Sequence, residues 1–261
     1  MTAGEEAPAG GNGQEPGHPG PWGLAGALAL PAAAFAGQLG FFALIGALAS
    51  VVLLRLEPNL AEHPSDLAEA VQTVSLLPAM AAYAAFTLAL VHWSVSRVHR
   101  LTLAEGIGLR PVSAGSAWRH AALGSVIALG GLVLIAAFPP DEMEELGGPL
   151  TRLASEGGLG YAAWIVLAVV VSPLVEEVLF RGYAYLGARR RLGPGAAGTL
   201  VTVLFVAPHM AETGTYWPPL AGITLLAVAL ARIMERRRNL TLCIAGHLGY
   251  NGSLVLASLV S

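Results

Sequence analysis

Charge is what this sequence has least of. Only 12% of its 261 residues are charged while 55% are hydrophobic, against roughly 25% charged residues in an ordinary soluble domain. A soluble fold so poor in charge would leave large apolar areas facing water, whereas a bilayer accepts them. Lysine is missing altogether, so every basic residue is an arginine. The single cysteine, Cys243, excludes both a disulfide framework and a thiolate zinc site within one chain, and its expected role is that of a small buried apolar residue. Residues 1–22 are rich in Gly, Pro, Ala and Glu and nearly devoid of aliphatic side chains. Such a segment cannot offset the entropy of ordering and is expected to be a disordered tail. It also lacks the basic start of a secretory signal, so the apolar run behind it is expected to stay as a membrane anchor.

What the chain does have is long apolar stretches. Seven of them, at approximately 24–54, 71–96, 118–138, 159–188, 195–211, 218–234 and 240–260, approach the roughly 20 helical residues that cross a hydrocarbon core of about 30 Å. The expected fold is therefore an all-α polytopic bundle of about seven membrane helices. Pro31 makes a kink or an interfacial turn the expectation in the first, and the fifth and sixth are the shortest. Three parts follow: the tail 1–22, N-terminal helices and loops 23–158, and a core 159–261.

The arginines fall on one side. Arg97, Arg100, Arg110 and Arg119 follow the second stretch, Arg189, Arg190 and Arg191 the fourth, and Arg232, Arg236, Arg237 and Arg238 the sixth. Opposite loops hold Arg55 and Arg152 among many acidic residues. By the positive-inside rule the arginine side is cytoplasmic, and the N-terminus with it.

Ionisable groups inside a bilayer are expensive and face the bundle interior, so they mark where chemistry is to be sought. The fourth stretch carries Glu176, Glu177 and Arg181, the fifth Phe205 and His209, and the seventh His247 and Asn251. At 1.5 Å of rise per residue, Glu176 lies about 20 Å from Arg189, His209 about 21 Å from Gly195 and Asn251 about 20 Å from Arg238. His247 is one turn nearer that end. These side chains share one band near mid-membrane and can converge on a common cavity. Spacing then divides them. Residues four apart share a helix face, so Glu177 can pair with Arg181, while Glu176 points elsewhere and is the candidate general base. His247 and Asn251, also four apart, can both donate toward a developing oxyanion. His209 is placed to hold water against Glu176, and Phe205, one turn before it, to fix its ring. A lone histidine or asparagine on an apolar helix more often makes a helix-to-helix hydrogen bond; five such groups at one depth point to a site.

On these residues the chain resembles the CAAX protease and bacteriocin-processing (CPBP, or Abi) family of intramembrane endopeptidases, which includes the type II CAAX prenyl endopeptidases. E-E-x-x-x-R is met by Glu176, Glu177 and Arg181, F-x-x-x-H by Phe205 and His209, and H-x-x-x-N by His247 and Asn251. The resemblance covers roughly residues 160–258. It implies a helical bundle, hydrolysis of a peptide bond in a membrane-associated peptide or protein, and a chamber open to the cytosol and the lipid. It also implies that Glu176 and His209 activate water while His247 and Asn251 stabilise the oxyanion. Glu176, His209 and His247 would be the ligands if a divalent metal such as zinc were used; no H-E-x-x-H motif is present, and the sequence itself requires no cofactor. A nucleic-acid partner is not expected. The arginine-only, alanine- and glycine-rich composition points to a bacterial plasma membrane, where bacteriocin leaders, signalling peptides or short membrane proteins replace prenylated substrates. Pro208, directly before His209, departs from the pattern and bears on whether the site is active. The alternatives are an inactive scaffold or chaperone of the same fold and, less favoured, a proton or cation pathway.

Overall fold

A computed structural model describes residues 20–139 and 158–259. All regular elements among them are helical. They are α1 (Gly23–Leu56), a 3₁₀ turn (Pro58–Glu62), α2 (Pro64–Val98), α3 (Leu103–Ile107), α4 (Ala114–Ala137), α5 (Gly158–Ala188), α6 (Pro194–Thr213), α7 (Trp217–Arg237) and α8 (Leu240–Ser258). Six of these, α1, α2, α4, α5, α7 and α8, are long and apolar enough to cross a membrane. The apolar part of α6, Pro194–Met210, is shorter, so six helices rather than seven meet the length requirement. Pro31 does not break α1, which runs through it as one helix of 34 residues.

Local chemistry sets the ends. Pro64 and Pro194 open α2 and α6, where a missing N–H removes no helical bond. Thr102 and Glu105 close a capping box on α3, and the Thr102 hydroxyl and amide hold the Glu105 carboxyl below its ordinary range. Ser113 caps α4 and Asn239 caps α8.

Glycines set how closely α4 and α8 cross. A methyl group on Gly124 would overlap the carbonyl of Gly246, and one on Gly249 would overlap that of Ala121. With lipid outside, helices associate through such close backbone approach rather than by hiding apolar surface from water. The glycine face of α8 thus lies on α4, leaving the adjacent face, with His247 and Asn251, for α5.

The two ends of the bundle are packed differently. At the arginine end the chain folds back on itself. The Trp22 indole stacks on Tyr183 with ring centroids 4.1 Å apart, and its N–H donates to the Tyr183 carbonyl at 2.8 Å. Gly20 N–H donates to Leu186 O, and Leu240 N–H to Gly108 O. Arg189 grips Glu235 through Nε at 2.9 Å and Nη2 at 3.1 Å, tying α5 to α7. Residues 20–22 are therefore part of the bundle and not of the tail, because an indole with an aromatic partner and a carbonyl within reach overrides the composition around it. The disorder expected of residues 1–19 lies outside the described residues. At the other end packing thins: the buried residues of α1 all lie between Ala27 and Ala34, and none of its second half is buried.

Candidate active site

The site is built on α5, whose winding changes around it. Leu167–Val171 and Val178–Tyr185 are π-helical, and the α-helical piece Ser172–Glu177 between them carries both glutamates. Single π turns inside α-helices recur at functional sites. Ser172 N–H reaches back five residues to Leu167 O, so the next step would run from Pro173 to Ala168. Proline has no N–H to give. The Ala168 carbonyl is served instead by Asn251, whose Nδ2 donates to it at 2.7 Å. One polar side chain of α8 is thereby fixed to α5.

The two glutamates have opposite surroundings. Glu177 is fully buried and its Oε1 accepts from Arg181 Nη1 at 2.8 Å, the ion pair that four-residue spacing implies. The same oxygen accepts from His247 Nδ1 at 2.8 Å. A carboxylate can only accept, so Nδ1 carries the proton and Nε2 is the free corner of the ring. That corner lies 3.7 Å from Glu176 Oε2. Glu176 keeps 20% of its side-chain surface, against none for Glu177, and its Oε1 accepts from Ser172 one turn earlier. Arg181 is held further by the Ala227 carbonyl at 3.3 Å and by the Phe205 ring, 4.4 Å from its guanidinium carbon.

Phe205 sits at the centre of the cluster. Its ring lies 5.2 Å from that of His209, 5.8 Å from that of His247 and 5.3 Å from that of Phe180. Its carbonyl accepts from His209 Nδ1 at 2.8 Å. A carbonyl cannot donate, so His209 is also oriented through Nδ1, with Nε2 left bare. Pro208 sits inside α6, which continues to Thr213 with His209 still anchored to Phe205.

Glu176, His209, His247 and Asn251 all line one cavity of about 840 Å³. A side pocket of about 130 Å³ adjoins it, lined by Glu176, His209 and Pro208. No direct hydrogen bond joins Glu176 to His209 among the described contacts. Glu176, His209 and His247 carry donors suited to zinc, yet among the described residues no group of three His, Cys, Asp or Glu side chains is gathered closely enough to hold a metal ion. No chemistry is therefore assigned to a metal here.

Three polar residues lining the side pocket were missed in the sequence, Gln38, Tyr83 and Ser172, as were Tyr250 and Ser258 of the main cavity. Gln38 had a signal, since it lies about 22 Å along α1 from Gly23 and so at the depth of the other polar groups. Ser172 had one too, four residues before Glu176.

No curated protein and no solved structure matches the chain. Residues 158–253, which run from the start of α5 into α8, do match a family, described as type II CAAX prenyl endopeptidase, Rce1-like. The six apolar helices of membrane length indicate an integral membrane protein, and the matched segment is similar to that CAAX endopeptidase family. The three motifs and the site they build thus lie within a segment that matches the Rce1-like type II CAAX prenyl endopeptidase family.

Proposed function

We propose that the protein is an intramembrane endopeptidase in which Glu176 and His209 activate a water molecule against a peptide bond. The observation that carries this reading is that Glu176, His209, His247 and Asn251, from three helices, line one cavity beside a buried ion pair. Glu176 takes the proton as the water oxygen bonds to the scissile carbonyl carbon, and His209 Nε2 positions that water. The carbonyl oxygen becomes an oxyanion, toward which His247 Nε2 and the second N–H of Asn251 donate. Collapse of the intermediate breaks the C–N bond, and the amine leaves with the proton that Glu176 gives back.

Geometry supports the part played by His247: Nδ1 is held by Glu177 Oε1 at 2.8 Å, and donation from Nε2 belongs to the form of the ring that carries a proton on both nitrogens. Glu177 then orients the ring and stabilises its charge, much as the carboxylate of a hydrolytic triad does.

The proposed orientation places the arginine end in the cytoplasm, N-terminus included, by the positive-inside rule, with a bacterial plasma membrane as the setting. The proposed substrate is a membrane-associated peptide or protein. Peptide profiles from membranes holding wild type or Glu176→Gln test the reading. Cleavage products present only with wild type are expected. Equal profiles from two equally folded proteins would favour the scaffold alternative.

A further inference from the structure

A second cavity, of about 580 Å³, lies between α6 and α7 at the arginine end and shares no lining residue with the cavity at Glu176. One wall is the face of α6 that repeats through Gly195, Gly198, Thr199 and Thr202. The other is the face of α7 that runs through Val228, Ala231, Arg232 and Arg236. Small residues keep this furrow open. A methyl on Gly198 would meet nothing nearer than Ala231 Cβ at 3.9 Å, and one on Gly195 would meet nothing within 4 Å. Gly124 and Gly249 are demanded by a helix crossing; these two glycines are not, and what they leave is empty length between two helices.

Charge and depth define what would fill it. Arg232 and Arg236 stand one turn apart on α7, both exposed, and neither has a protein partner among the described residues. Glu235, which also lines the furrow, is already occupied. Its Oε2 accepts from Tyr185 at 2.6 Å and Arg189 Nε at 2.9 Å and lies 3.3 Å from Arg238 Nη2, while Oε1 accepts from Arg189 Nη2 at 3.1 Å. Four arginines thus surround one carboxylate, which favours an anion and repels a cationic headgroup. From Pro194 to Thr202 the furrow descends about 12 Å of helix into the apolar layer. At that inner end Thr202 is 9% exposed and its hydroxyl has no partner, a buried donor that a ligand's carbonyl would satisfy. A free phosphate would use the charged mouth alone; a phosphate head with an aliphatic tail uses the whole length. The chain before α1 leaves from the other side of α5, since Trp22 lies on Tyr183 whereas Tyr185 turns to Glu235.

We propose that this furrow binds one anionic glycerophospholipid from the leaflet at the arginine end. Its phosphate sits on Arg232 and Arg236, whose guanidinium groups offer phosphate oxygens paired donors. Its ester carbonyls accept from Thr199 and Thr202, and an acyl chain lies along Gly198, Val203 and Val228. A lipid seated there bridges α6, which carries His209, to α7, which Glu235 ties to α5 through Arg189. The site is built from α6 and α7 and does not depend on what the Glu176 cavity does.

Native mass spectrometry of the full-length protein released from detergent micelles tests this, with phosphatidylglycerol and phosphatidylcholine of the same acyl chains as probes. Wild type is expected to hold one phosphatidylglycerol at least about tenfold more tightly than phosphatidylcholine, and Arg232→Gln with Arg236→Gln to lose that preference. Gly198→Leu, which fills the furrow, is expected to weaken phosphatidylglycerol binding about tenfold with both arginines in place. Arg110→Gln with Arg119→Gln removes the same charge from the same end outside the furrow, and is expected to leave the preference intact. An equal loss there would reduce the effect to general surface charge and overturn the proposal. So would unchanged binding in the Arg232→Gln, Arg236→Gln variant, the result expected if another segment or a second copy fills the furrow. Displacement of the lipid by glycerol phosphate at matched concentration would make the ligand a soluble phosphate and overturn it as well. Unfolding transitions measured alongside confirm that each variant is folded, and no readout depends on cleavage.

Discussion

Between Glu177 and Ala188, α5 has no exposed residue; between Gly158 and Ser172 it has no buried one. The same helix thus obeys two regimes, and Glu176 sits at the join. The packed half holds a charged pair inside the bilayer, with Glu177 Oε1 accepting from both Arg181 and His247 at 2.8 Å. The loose half leaves Glu176 partly open beside a cavity. A hydrolytic site in lipid needs both: rigid support on one side and access for water and peptide on the other.

Substitutions on either side of the join probe that difference. Glu176→Gln should lower hydrolysis by about 10²- to 10⁴-fold, the usual contribution of a general base, with the unfolding transition in detergent unchanged. A matching loss of stability would move Glu176 into the packed half. Glu177→Ala leaves Arg181 buried without its partner and should cost roughly 3–5 kcal/mol, measured by denaturant unfolding in mixed micelles. The double variant Glu177→Leu with Arg181→Met should regain most of that stability yet remain inactive, since His247 loses the acceptor on Nδ1. Trp22→Ala removes a stacked ring and a buried hydrogen bond, and a loss of about 3 kcal/mol is expected. That figure measures how firmly the arginine end is closed. In the loose half, Leu44→Ala and Leu48→Ala should change stability by less than about 0.5 kcal/mol, because both side chains are more than half exposed. A cost above about 2 kcal/mol would show the outer half of α1 to be packed after all.

The helices were legible because a span must be long, apolar and continuous, and the polar groups because nothing else explains Glu176 or His209 at mid-membrane. Spacing of four also gave the Glu177 to Arg181 pair. Spacing could not reveal that Glu177 also holds His247, seventy residues away, because a long-range partner leaves no local pattern. It likewise expected Asn251 to serve only the oxyanion, whereas one of its N–H groups is spent on Ala168 O. The cause is Pro173 combined with a π register, and the register is not readable from the residues of a uniformly apolar helix. Trp22 was assigned to a tail on composition, which is blind to a single ring that finds Tyr183.

The central claim is that water held at Glu176 hydrolyses a peptide bond. Membranes containing the protein are incubated in heavy-oxygen water, and newly formed peptide C-termini are read by mass spectrometry for wild type and Glu176→Gln. Wild type is predicted to yield peptides whose new carboxylate carries one heavy oxygen, and Glu176→Gln to yield none of them. The same labelled peptides at equal abundance from both proteins would contradict the account.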